Sequence, residues 1–340
     1  MCTVLAILAY VIAPDNTRYA NQMHLSIHSR PPGFAVKMLT IPASQQVEQS
    51  ELSALFFGRI SADTEIPLNS YVLEERGIRI TEYNDEGSVG LEKSIGLDAF
   101  KGVSDSKEIP LNFISEQKFI LGTDKYGRDL LSRLLIGIRI SLAIGMVAVF
   151  ISLVIGITLG AIGGYFGGRV DSFIMWLINV TWSIPTLLLV IAITLALGKG
   201  FWQVFIAVGL TMWVEVARIV RGQVLGVRKL QYVTAARALG YSDFRIVLRH
   251  ILPNVLAPVI IISAANFAAA ILIESGLSFL GIGAQPPMPS WGGIIKDHYS
   301  YIVLGKPYLA IIPGLAIMSL VTAFMLLGNA LRDALDVKSS

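Results

Sequence analysis

Cysteine and histidine are almost absent: the chain has one cysteine, Cys2, and four histidines in 340 residues. One thiol excludes an intrachain disulfide and a cysteine-held metal cluster, and four scattered histidines argue against a His-rich metal site. Charge is scarce too. Asp, Glu, Lys and Arg make up 15% of the chain against 54% hydrophobic residues, and the mean hydropathy of +0.65 excludes a soluble domain of ordinary make-up. A phosphate-binding loop is also missing, because Gly163 and Gly168 are followed by Arg169 and Val170 where the motif requires Lys and then Ser or Thr. The chain is expected to hold no catalytic group, cofactor or metal, and to have no nucleic-acid partner.

What it has instead is a series of apolar runs of membrane-span length, at about 140–165, 173–197, 201–220, 254–280 and 308–327. In and just after the first of these, Gly156, Gly160, Gly164 and Gly168 recur at intervals of four, so one helix face lacks side chains and a neighbouring span can approach closely. Ser183-Ile184-Pro185 interrupts the second run and is expected to kink it or to open backbone groups toward an interior cavity. In the third, Glu215 and Arg218 stand three residues apart and are spaced to pair, either as an ion pair at the inner interface or at a substrate contact. Glu274 lies inside the fourth. A carboxylate facing lipid there would cost about 2.5–3.5 kcal/mol even on a lenient scale, so it is expected to face protein or a water-filled path.

A shorter apolar run, Cys2 to Ala13, stops at Pro14-Asp15. As a helix it would be about 20 Å long against a hydrocarbon core of about 30 Å. It lacks the basic start and cleavage site of a signal peptide. Residues 15–120 change character: they are polar, carry β-rich runs such as Gly77-Ile78-Arg79-Ile80-Thr81, and have turn signals at Pro31-Pro32-Gly33 and Asn84-Asp85. They hold 15 acidic against 10 basic residues, which places them on the outer side by the positive-inside rule.

The most distinctive polar stretch between spans is 231–253, QYVTAARALGYSDFRIVLRHILP. Good helix formers run from Val233 to Leu239, with small Ala235 and Ala236 leaving a face of little bulk. Gly240 falls where a helix end takes left-handed geometry, Ser242-Asp243 can cap a second helix, and Leu252-Pro253 opens the next span. The expected unit is helix, turn, helix, then span. An amphipathic helix resting on lipid headgroups is the alternative. With Arg221, Arg228, Lys229, Arg237, Arg245 and Arg249 around it, this loop is assigned to the cytoplasm. The acidic 15–120 segment then lies outside, and Cys2–Ala13 must act as a span, giving six spans with both termini inside.

The Ala235-Ala236, Gly240, Leu252-Pro253 pattern resembles the EAA loop in the integral-membrane subunits of binding-protein-dependent ABC importers. Thr234 stands where that motif has an acid, and His250 where it has isoleucine. Other segments agree in order: Gly122-Thr123-Asp124 with Gly127-Arg128-Asp129, Glu274-Ser275-Gly276-Leu277-Ser278-Phe279-Leu280-Gly281, Pro286-Pro287-Met288-Pro289-Ser290-Trp291-Gly292, and Leu331-Arg332-Asp333-Ala334-Leu335-Asp336 followed by Val337. Together they resemble the second permease of the dipeptide, oligopeptide and nickel group over about residues 121–336. Cys2–Ala13 resembles the second half of that group's first span, so the functional chain is expected to begin upstream or to pair its first helix with a neighbour. Trp291 is expected at the membrane interface.

The resemblance implies an all-α polytopic membrane protein with about six transmembrane helices, of the type I ABC importer kind, carrying a small extracytoplasmic insert of mixed, partly β structure. It divides into a first helix at 1–14, an extracytoplasmic domain at 15–120 and a transmembrane domain at 121–336. It implies a permease subunit, not an enzyme, in a bacterial cytoplasmic membrane, importing peptides or similar small solutes. The implied partners are a homologous second permease, two ATPase subunits, an extracytoplasmic substrate-binding protein and membrane lipid. Thr234, Ala235, Ala236, Gly240, Leu252 and Pro253 are the expected ATPase-coupling residues; Glu274, Pro185 and Glu215 are candidates for the substrate path. An ion-coupled secondary transporter is the rival reading, with Glu215 and Glu274 in its favour, although such folds usually show paired broken helices.

Overall fold

The computed structural model describes residues 2–43, 49–61, 63–84, 90–198 and 200–335. Asp85 of the expected turn and the Asp336–Val337 ending lie outside the described residues. In chain order the principal elements are α1 (Cys2–Ile7), α2 (Ala9–Ile12), β1 (Phe34–Ile41), α3 (Glu51–Phe57), β2 (Thr64–Glu74), β3 (Gly77–Glu82), β4 (Glu92–Gly96), α4 (Ile109–Phe113) and β5 (Ile114–Phe119). There follow α5 (Leu130–Phe166), α6 (Gly168–Trp182), α7 (Thr186–Leu197), α8 (Phe201–Val227), α9 (Gln231–Ala238), α10 (Asp243–Ile246), α11 (Leu252–Phe279), α12 (Trp291–His298) and α13 (Tyr308–Leu335). The chain separates into two compact units, one of residues 1–140 and 286–313, the other of 141–285 and 314–340.

Four helices are long and apolar enough to cross a membrane, and the bent pair α6–α7 makes up to five among the described residues. The helical membrane fold with a small β insert is therefore present. The sixth span expected at the start is not of spanning length, since α1 and α2 cover only Cys2–Ile12. Ser183-Ile184-Pro185 does more than kink its run: α6 and α7 meet at 90°. Proline at the head of α7 offers no N–H to continue the ladder, so the chain restarts in a new direction.

In the first unit the β-rich reading holds. Five antiparallel strands run in the order β4-β3-β2-β1-β5. Alternation along β1 sends Val36 and Met38 to a cluster with Ile27 and Phe119, and Leu39 to a second cluster with Leu68, Ile78, Ile80, Phe100 and Ile109, as a period of two requires. Gly33, at φ +83, turns the chain into β1 while its N–H donates to Phe119 O at 2.9 Å.

The Gly122–Asp129 turn organises the rest of this unit. Asp124 is fully buried; its Oδ1 accepts from the Tyr126 and Arg128 N–H groups at 2.8 and 3.0 Å, and its Oδ2 lies 2.6 Å from the Arg128 guanidinium. Removing one partner of such a buried pair would cost about 3–5 kcal/mol. Asp129 caps α5 by accepting from Ser132 N–H at 2.8 Å, and Ser132 Oγ accepts from Asp15 N–H at 2.9 Å. Trp291 packs inside the protein: it is 3% exposed, with Nε1 donating to Leu134 O at 2.9 Å. The reason is Gly137, where a Cβ would stand 2.7 Å from the indole, so the missing side chain makes room for the ring.

The second unit is built around α8, whose Val204, Ala207, Val208, Val216, Ala217, Val220 and Val224 are all within 1% of complete burial. It packs on α6 through Ile174 and Ile178 and on α7 and α11 through Val190, Ala270 and Leu277. The glycine stripe works against the same helix. A Cβ on Gly156, Gly160 or Gly164 would come within 2.9 Å of Val216, Ala217 O, Val220 or Val224. Gly168 does not join them: it follows the end of α5 and has nothing within 4 Å of its Cβ position.

Two outcomes are expected. Gly160→Leu should lower stability by about 1–3 kcal/mol or more through overpacking, while Gly222→Ala, where the Cβ position is open, should not; thermal unfolding in detergent compares them. The second concerns His298, 1% exposed, whose Nε2 accepts from Lys125 N–H at 3.1 Å and whose Nδ1 is 2.7 Å from Ile294 O, the pattern of a neutral ring. Burial pushes its pKa below 6.5. As pH falls below that value the unfolded chain takes up a proton before the folded one does, so the ring's contribution, complete above 6.5, is lost as pH falls. The melting temperature should drop between about pH 7.5 and 5.5, and His298→Asn should flatten that dependence; an equal slope in the variant would assign it to other groups.

Candidate functional site

The 231–253 segment forms the expected helix, turn and helix. Helix α9 ends in a Schellman motif: Tyr241 N–H donates to Ala236 O at 3.1 Å and Gly240 N–H to Arg237 O at 2.9 Å, with Gly240 at φ +77. That left-handed geometry is the reason for glycine here, since a Cβ would meet nothing within 4 Å and only the backbone objects. After α10 the chain passes through a π-helical turn, Val247–Ile251, into α11, with Pro253 in its first turn where a missing N–H costs nothing.

Two expectations need correction. Ala235 and Ala236 do not share one outward face: Ala235 is exposed, whereas Ala236 is 4% exposed and packs with Val233, Val220, Val224, Ile246, Ile251 and Val255. The apolar contacts of Val233 and Tyr241 on either side of the turn draw it inward, and a period of 3.6 then turns Thr234, Ala235 and Ala238 outward. Leu252 is half-buried against the same cluster. Ser242 stands at the N-cap of α10 but its side chain makes no capping bond. Asp243, beside it, is engaged elsewhere, accepting from Tyr165 Oη–H at 2.5 Å.

Tyr165 was not legible as a site residue, and the structure makes it the seat of the loop. Its ring lies 5.0 Å from the Arg237 guanidinium, and Arg228 Nη1 donates to Gly164 O and Tyr165 O at 2.8 and 3.0 Å, satisfying carbonyls at the end of α5. An open cavity of about 640 Å³ beside it is lined by Tyr165, Arg228, Lys229, Thr234, Arg237 and Asp243, three cations against one carboxylate. Beyond the turn, Leu239 is 72% exposed and Phe244 76%. Two large apolar side chains thus project from a charged loop.

The candidate path residues fall into two places. Glu215 and the break around Pro185 come together: a cavity of about 190 Å³ is lined by Trp182, Ile184, Thr186, Thr211 and Glu215 among others. The expected Glu215–Arg218 pair is not formed; Arg218 stacks 3.5 Å over the Trp182 ring and reaches Asn179. Arg221 pairs with Asp171, a partner 50 residues away that local spacing could not indicate. Glu274 is absent from this lining. It is fully buried, and its Oε1 accepts from Ser278 Oγ–H at 2.6 Å, so it faces protein, as its desolvation cost requires. Ser278 Oγ also accepts from Ala284 N–H at 3.2 Å. The spacing of four between Glu274 and Ser278 was the available signal. Just beyond, α11 ends in a second Schellman motif, at Gly281 with φ +79.

Residues 156–338 match the family model described as the binding-protein-dependent transport system inner membrane component. Among curated proteins, the glutathione transport system permease protein GsiD of Pectobacterium atrosepticum is 43% identical over 218 residues, 64% of this chain and 72% of that protein. The dipeptide transport system permease protein DppC of Bacillus subtilis is 42% identical over 217 residues, 64% of this chain and 68% of that one. Among solved structures, a chain of the MetNI methionine ABC transporter in an inward facing conformation is 20% identical and aligns over 59% of this chain and 95% of its own, with a TM-score of 0.49. With its basic helix–turn–helix loop and its apolar spans, the chain belongs to the family of inner membrane components of binding-protein-dependent transport systems.

Proposed function

We propose that this chain is one of two permease subunits of an ATP-driven importer in the bacterial cytoplasmic membrane, moving peptides or similar small solutes by alternating access. The observation that carries the reading is the 231–253 loop. Its inward face is locked to α5, α8 and α11, while Thr234, Ala235, Leu239 and Phe244 face outward. A rigid lever with an exposed end suits the transfer of motion from a separate subunit. Since the chain has no phosphate-binding loop, ATP hydrolysis belongs to two partner ATPase subunits gripping that end. Thr234 removes the acid of the EAA pattern, and Arg228, Lys229 and Arg237 make this surface basic, so the facing subunit is expected to bring carboxylates. A homologous second permease completes the pathway, and a substrate-binding protein delivers solute to the outer side, where residues 15–120 stand. Dipeptide and glutathione relatives support solutes of that size.

Glu215, beside the α6–α7 break, and Glu274 are the path candidates. Their presence also fits an ion-coupled secondary transporter. Co-purification separates the two, since the importer requires an ATPase and the ion-coupled transporter does not.

The coupling role predicts that Gly240→Val, with left-handed strain of about 1–2 kcal/mol and no steric clash, weakens ATPase binding or uncouples hydrolysis from transport, while Gly240→Asn, which tolerates that geometry, is milder. Ala235→Glu should act similarly, whereas Ala236→Glu would put a carboxylate into the loop's own core and report folding. Normal co-purification and substrate-stimulated ATPase activity for Gly240→Val and Ala235→Glu together would remove the loop as the coupling element. For Glu274, Leu should leave assembly intact but alter transport or its coupling, and Gln, which can still accept from Ser278, should retain more activity. Transport at the wild-type rate in Glu274→Leu vesicles would take this residue off the path.

A further inference from the structure

The N-terminal unit carries an apolar patch that its own fold leaves open. In α3, Leu52 is 72% exposed, Phe57 62%, Phe56 48% and Leu55 41%, and Ile60 just beyond is 54% exposed. Five large apolar side chains within nine residues, presented by a segment otherwise rich in acids, need a cover other than water. The patch is held against α2. Gly58, at φ +80, admits no Cβ because one would stand 2.6 Å from Arg18 Cα and 2.8 Å from the Tyr10 ring. Arg59 N–H donates to Asn16 O at 2.9 Å and Arg18 N–H to Arg59 O at 3.2 Å. The residues leaving α3 are thus zipped to the residues leaving α2. The α1–α2 segment has no charged residue from Cys2 to Ala13, and Val4, Ile7, Val11 and Ile12 are exposed.

The rim of this joint patch has its own chemistry. Tyr10 Oη–H donates to Arg18 O at 2.7 Å, the Arg18 guanidinium lies 5.3 Å from the Tyr19 ring, and Arg59 stands beside them. Tyrosine and arginine bordering an apolar surface are the residues that settle at the headgroup level of a bilayer, with apolar stems in and polar ends out.

We propose that α3 is a membrane-interface helix, laid into the leaflet from which the chain emerges after α2, and that it fastens the five-stranded sheet to the lipid surface. The occupant of the patch is phospholipid. The inference goes beyond the importer reading and does not depend on it.

Site-directed spin labelling tests it in the full chain, reconstituted in phosphatidylethanolamine and phosphatidylglycerol vesicles, with Cys2→Ser as background. Labels at Leu52→Cys, Phe56→Cys and Phe57→Cys are expected to show an oxygen to nickel-chelate accessibility ratio several-fold higher than a label at Ser94→Cys, exposed on β4. A ratio equal to that at Ser94 would overturn the proposal, and so would labels immobilised and closed to both reagents, which is the signature of a protein cover. Should the labelled chains fail to assemble, Phe57→Trp fluorescence, read over the five native tryptophans, must be quenched by brominated lipid; no added quenching likewise rejects it.

Discussion

The side-chain-free contact between α5 and α8 is the constraint on which the second unit depends. Lipid tails are as apolar as leucine, so hydrophobic burial does little to draw two spans together, and close packing must do it. Gly156, Gly160 and Gly164 let the α5 backbone touch Val216, Ala217, Val220 and Val224 directly. That contact brings the end of α5 to Arg228, whose guanidinium takes the last carbonyls, and sets Tyr165 under the loop to receive Asp243 and Arg237. Loop geometry therefore follows from three missing side chains in a neighbouring span.

A single backbone device recurs where the chain must turn without losing rigidity. Gly240 and Gly281 both close helices with paired Schellman bonds, one beneath the exposed tip of the loop and one just past the buried Glu274. Each stop is sharp and internally satisfied, so the residues beyond it are positioned rather than left to fray. Near Gly281, Ser278 links the Glu274 carboxylate to the following turn through Ala284 N–H. A buried acid is thus tied, through Ser278, to the segment that leaves the span.

Electrostatics divides the molecule by burial. In the first unit Asp124 and Arg128 are buried together and served by backbone donors, so they act as a structural clasp. At the loop, Lys229 and Arg237 stay exposed. The same residue types are clasped in the interior in one place and left to water in the other, because desolvation makes an unpaired charge costly only where water is excluded.

Local sequence determined the elements: the apolar runs, the β-rich insert, the break at Pro185, the glycine at the turn of the loop and the proline that opens α11. Each follows from short-range rules of length, periodicity and backbone geometry, and the ordered motifs identified the family. Tertiary structure alone decided which way those elements face and whom they meet. It turned Ala236 inward and left Ala235 outside, buried Trp291 beside Gly137, separated Glu215 from Arg218, paired Arg221 with Asp171 and made Tyr165 the seat of the loop. Those outcomes depend on residues tens to more than a hundred positions apart competing for the same space and the same charges. No local pattern encodes that competition, and only the folded chain resolves it.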